Sequence, residues 1–252
     1  MPRLVPFRLA AACALALVLV ASTAAVAMAK VSTDLRVVGG GGKILAEETL
    51  KTGTTSIPTS SKATCFGKGT AGSRKAATVK GATAFGLLAQ AAKSNKALKP
   101  LLVTDAFDFG LGLCGVGGYK TTSKLSWYLK VNHVNPEIGG DTVKLKAGDE
   151  VLWAYASFPY PNELDLQAPE QVTAGVPFTV RVFSYNDRGK RKPLAGATIT
   201  GTEGAVTGAD GRATVTLNSP ATVLGATHGK DIPAPTTVVL TCPGGICPTA
   251  AP

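Results

Sequence analysis

The chain has 252 residues, a formal net charge of +10 at pH 7 and 45% apolar residues. That apolar share excludes a disordered polyelectrolyte, and the length suits one large domain or two ordinary ones. The basic excess would suit a polyanion, yet no nucleic-acid recognition motif accompanies it, so no nucleic-acid partner is expected.

In chain order, MPRLVPFR supplies Arg3 and Arg8, and the uncharged run LAAACALALVLVASTAAVA follows. Two small-x-small sites close it, Ala25-Val26-Ala27 and Ala27-Met28-Ala29, just before Lys30. A basic start, an apolar core and an A-x-A site predict a secretory signal peptide over residues 1–29. The mature protein is therefore expected to be secreted and extracellular. The apolar run approaches the ~20 residues of a spanning helix, so a membrane is a partner only if this segment stays uncleaved.

DLRVVGGGGKILAEETL predicts two strands around a glycine turn, with Leu35 and Val37, then Ile44 and Ala46, alternating as half-buried strands do. Residues 51–80 are polar and turn-rich and predict a long loop tied by Cys65. Lys51, Lys62, Lys68, Arg74, Lys75 and Lys80 cluster there, a surface for anionic envelope polymers or lipid headgroups, or else a solvated loop. GATAFGLLAQAAKSNKAL predicts a helix capped by Thr83, with Phe85, Leu87, Leu88, Ala91 and Ala92 on its apolar face.

LLVTDAFDF predicts a strand, and DFGLGLCGVGGYK a glycine-rich loop. Within it Gly110-Leu-Gly-Leu-Cys-Gly115 fits the dinucleotide fingerprint G-x-G-x-x-G, which needs a helix opening at the third glycine. VGGYKTTSK does not open a helix, so no nicotinamide or other cofactor is expected. SKLSWYLKVNHV and DEVLWAYASF predict two further strands; Trp127, Leu129 and Val131 share one face, and Val151, Trp153 and Tyr155 share another.

Cys13 leaves with the signal, and the remaining even set in an exported chain implies disulfides. Proximity across CPGGIC pairs Cys242 with Cys247, which leaves Cys65 for Cys114. The spacing in CPGGIC and the lack of a nearby histidine argue against zinc.

The succession VVGGGGKILAEETL, ATAFGLLAQAAK, SWYLKVN and VKLKAGDEVLWAYASF resembles a bacterial secreted domain family related to the C-terminal domain of transcobalamin and intrinsic factor. Asn132, Gly148 and Asp149 fit its strand-end and turn positions. The resemblance implies a β-grasp-like domain over residues 30–159. In the animal carriers the related domain covers one face of a corrinoid.

PYPNELDLQAPE predicts a connector over residues 160–168. Residues 169–242 hold short strands with regular turns, and PLAGATITGTEGAVTGADGRATVTL resembles bacterial immunoglobulin-like and carboxypeptidase-regulatory-like modules. Residues 243–252 form a tail. The expected architecture is an α+β β-grasp-like domain followed by an all-β immunoglobulin-like sandwich.

His133 and His228 are the chain's two histidines, and neither adjoins a nucleophile motif such as G-x-S-x-G. No metal site is expected from them. Trp127, Tyr128, Trp153 and Tyr155 are the candidate ligand-binding residues, since aromatics on strands beside a loop stack on flat ligands. The reading is a secreted, non-enzymatic binding protein of the cell envelope. Its alternatives are a small-molecule carrier of corrinoid type and an extracellular hydrolase dependent on His133.

Overall fold

The computed structural model describes residues 30–242. Residues 1–29, expected as a signal segment, the expected tail 243–252 and Cys247, with its expected bond to Cys242, lie outside these residues.

The first half runs Val31–Val38 (β1), Ile44–Thr52 (β2), Thr55–Pro58 (β3), Ala76–Val79 (β4), helix Ala84–Ser94 (α1), Leu102–Phe107 (β5), Gly110–Val116 (β6), Tyr119–Lys120 (β7), Leu125–Val131 (β8) and Glu150–Ser157 (β9). In β1, Thr33, Leu35 and Val37 turn one way while Arg36 and Val38 turn the other, and all are buried. A strand covered on both faces belongs in the middle of a layered structure. Accordingly β1 pairs antiparallel with β2 and parallel with β9, and β8 closes the sheet in the order β2-β1-β9-β8.

One face of this sheet packs on α1. The helix starts where the sequence places it: Thr83 caps it, its Oγ1 accepting from Gly86 N at 3.0 Å, and Phe85, Leu87, Leu88, Ala91 and Ala92 are buried. Thr83→Ala removes that acceptor and should lower stability by about 1 kcal/mol, read from a urea midpoint at unchanged slope.

The α+β β-grasp-like expectation is corrected by the element content, which is 47% strand and 8% helical with a single α-helix. Several small sheets and a half-barrel make up the architecture. The physical reason lies in two stretches without a readable period. The polar stretch 51–80 contains the β3–β4 hairpin, its long loop docked on β5 through Ser60 N to Val103 O at 2.8 Å. Gly72 lets these backbones meet, because a Cβ there would lie 2.7 Å from Val103 O and from Ser60 N.

The glycine-rich stretch is not a loop but β6, in a three-stranded β5-β6-β7 sheet. Its glycines remove the side chains that would have shown the alternation. Cys114 therefore sits in a strand, not in a loop, and bonds Cys65 as expected. No helix opens at Gly115.

The second half runs Glu163–Gln167 (β10), Gln171–Thr173 (β11), Phe178–Tyr185 (β12), Arg191–Pro193 (β13), Thr198–Thr200 (β14), Arg212–Val215 (β15), Ala221–Thr227 (β16) and Thr237–Cys242 (β17). β10, β13 and β15 assemble on β12, and the other sheet runs β11-β17-β16-β14. Leu164, Val180, Val182, Ile199, Leu224 and Val239 fill the core between them. β10 lies inside the segment that reads as a connector, with Leu164 and Leu166 buried in this core.

Candidate functional site

β8 positions most of the side chains of interest. Its alternation sends Trp127 and Leu129 toward the α1 core and Tyr128 and Lys130 toward the second half. Both indoles are buried and bonded: Trp127 Nε1 donates to Tyr119 O at 2.9 Å, and Trp153 Nε1 to Ala84 O at 3.3 Å. Phe85 packs on Trp153 with ring centroids 5.7 Å apart. The tryptophans thus serve the core, and their remaining edges line a cleft of about 600 Å³ between β8 and β6.

Three of the four candidate aromatics, Trp127, Tyr128 and Trp153, line this cleft. Tyr155 does not: it packs on Trp127 and Tyr119, donates its hydroxyl to Lys120 O, and borders a separate cleft. The rim is built by residues that the sequence reading missed. Phe66 and Phe107 meet edge to face at 5.2 Å, and Phe107 stacks on Phe109 at 4.9 Å. Tyr160 stacks on Tyr128 at 3.9 Å.

Phe109 is 81% and Phe66 51% exposed. A large apolar residue in a turn, as in FGKG and DFG, serves no core, and that was the available signal. The Cys65–Cys114 bond sits directly beside Phe66 in sequence and fixes its loop to β6. Glu137 and Asp141 are the charged residues of the lining, and no cationic side chain joins them among the described residues. Asp141 accepts from Leu111 N at 3.1 Å.

The opposite face of the central sheet carries a charged seam against the second half. Glu163 of β10 is buried, bonds Arg36, and lies 3.9 Å from Lys130 Nζ. Lys130, fully buried, also donates to Tyr185 O at 3.2 Å and Asn186 O at 3.0 Å, and lies 3.8 Å from Asp187. Tyr128 donates its hydroxyl to Asp187.

Burial opposes ionisation of Glu163, but His133, Arg36 and Lys130 together hold its carboxyl below the ordinary carboxylate value. Burial likewise pulls the Lys130 ammonium down, against the opposing pull of Glu163 and Asp187. Burial, then the bond to Asp187, pushes the Tyr128 phenol far up.

His133 lies at φ +68° after Asn132 at φ +49°, and Val131 and Val134 exchange both backbone bonds around them. This is a tight turn with two left-handed residues, where Asn is at home and the following position usually falls to glycine. His133 is held there by stacking on Tyr185, centroids 3.8 Å apart, with Nδ1 3.1 Å from Glu163 Oε2. Among the described residues no hydroxyl or thiol is bonded to His133, and no group of three or more His, Cys, Asp or Glu is placed to hold a metal ion.

The six basic residues of the 51–80 stretch are all exposed. No protein-family model, curated protein or solved structure matches the chain.

Proposed function

We propose that the chain is a secreted, non-enzymatic binding protein whose ligand seats in the aromatic cleft beside β8. The carrying observation is the pair of exposed phenylalanines, Phe66 and Phe109, at the mouth of a cleft lined by both tryptophans. Large exposed apolar groups gathered at a cleft cost solubility unless something covers them. The disulfide supports an oxidising, extracellular setting, as does the signal-like leader. The second half serves as an immunoglobulin-like support. Its two facing sheets favour that reading, and the charged seam fixes it to the central sheet.

The uncharged and acidic lining favours a neutral or cationic ligand over an anion. The hydrolase reading finds less support, because His133, stacked on Tyr185 and 3.1 Å from Glu163, has no nucleophile bonded to it among the described residues.

Nile red, a flat uncharged dye, tests the site. Phe109→Ser should weaken its binding about tenfold, the value of burying most of an aromatic side chain. Val238→Ser, on the exposed valines of the second half, should leave binding unchanged. The reverse pattern would place the apolar site elsewhere. Cobalamin in the same assay tests the corrinoid alternative, through co-elution of its visible absorbance with the protein.

A further inference from the structure

The cleft has a second property besides its aromatic rim: one of its walls is the open edge of a β-sheet. β8 ends the order β2-β1-β9-β8, so one side of it has no strand partner. Which backbone groups face that side follows from the antiparallel ladder. Asn132 N donates to Glu150 O at 2.9 Å, so Asn132 and Glu150 form a hydrogen-bonded pair. Pairs alternate in type along an antiparallel ladder. Lys130, Tyr128 and Ser126 therefore direct their N–H and C=O groups to β9, opposite Leu152, Ala154 and Ala156. Val131, Leu129, Trp127 and Leu125 direct theirs outward.

The outward ends are already used. Val131 exchanges bonds with Val134, and Leu125 O accepts from Thr122 N at 2.8 Å. Between them, the outward groups of Trp127 and Leu129 have no hydrogen-bond partner among the described residues. They open into the cleft that both residues line.

Resting on the cleft reading above, we infer that the occupant is an extended peptide segment that adds to the free edge of β8 as a strand. An extended main chain offers donors and acceptors at the spacing that Trp127 and Leu129 present, and strand addition draws its affinity from such bonds. Side chains of an added strand alternate in direction, so every second residue meets the Phe66–Phe107–Phe109 rim and is apolar or aromatic. Glu137 and Asp141 in the lining disfavour acidic residues and favour a basic one. The partner class is thus an extended, non-acidic segment of another polypeptide with apolar residues at alternate positions.

Amide hydrogen exchange on the full mature chain tests this, with acetyl-KVTVTV-amide as the probe and the same peptide N-methylated at every residue as control. In the free protein the Trp127 and Leu129 amides exchange faster than those of Tyr128 and Lys130. Saturating peptide slows the Trp127 and Leu129 amides by at least about tenfold, and the methylated control, whose residues lack backbone N–H donors, binds at least about tenfold more weakly. Equal affinity of the two peptides, or unchanged exchange at Trp127 and Leu129, overturns strand addition. Nile red separates the two levels. If the dye binds in a Phe109-dependent way while the peptide fails, strand addition falls and the cleft stands. If neither binds, both fall.

Discussion

Glu163→Ala should lower stability by about 3–5 kcal/mol, because it leaves Arg36 and Lys130 buried without their shared carboxylate. Replacing Arg36, Lys130 and Glu163 together by Met, Met and Leu removes the charges and their desolvation cost at once. That triple variant should recover part of the loss, since apolar replacements of similar volume are often neutral in such sites, while the Pro233, Tyr185 and Asn186 carbonyls lose the donors that Arg36 and Lys130 gave them. Urea midpoints of the single and triple variants decide it; a triple variant weaker than the single one contradicts the reading of the seam as a mutually compensated cluster.

The pH dependence has a fixed sign. The folded-state carboxyl of Glu163 is depressed below the ordinary 4.5, so the folded protein binds fewer protons there than the unfolded chain. Its stabilisation is complete above that value and is lost as pH falls from it through the lower folded value. Stability of Glu163→Gln should depend less on pH over that acidic window than stability of the parent protein.

The second large effect belongs to the disulfide. Cys65 and Cys114 are separated by 49 residues, and opening that loop in the Cys65→Ala/Cys114→Ala variant should cost up to about 4 kcal/mol through the freedom of the unfolded chain. The loss has a local readout as well. Phe66 follows Cys65 directly and forms part of the rim, so the variant should bind Nile red more weakly even where it remains folded. A variant with unchanged stability would show that the loop closure contributes nothing measurable.

Legibility tracked period. The β1–β2 hairpin, α1, β8 and β9 stand in the sequence because Leu35/Val37, the Phe85–Ala92 face and the Trp127 and Trp153 alternations repeat at 2 or about 3.6 residues. β6 does not, because Gly110 and Gly112 erase one face of its alternation. β10 was hidden by the prolines before it, although its Leu164 and Leu166 alternate. The charged seam could not be read at all: Arg36 and Glu163 lie 127 residues apart, and nothing local marks either as buried.

The aromatic candidates were legible as strand residues, but only the fold sorts Trp127, Tyr128 and Trp153 into the cleft and Tyr155 out of it. The rim phenylalanines sit in turn-rich stretches where side-chain direction has no period to reveal it. The mostly-β outcome has the same origin, since its extra sheets come from the two stretches least periodic in sequence.

A ligand held between β8 and the phenylalanine rim lies against the tryptophans of the cleft, so tryptophan emission reports its arrival. The chain has two tryptophans, and both line that cleft. Titration with Nile red should therefore quench tryptophan emission in step with the rise of dye emission, with one dissociation constant for both signals, and Phe109→Ser should shift both together. Dye binding that leaves tryptophan emission unchanged would place the ligand outside that cleft.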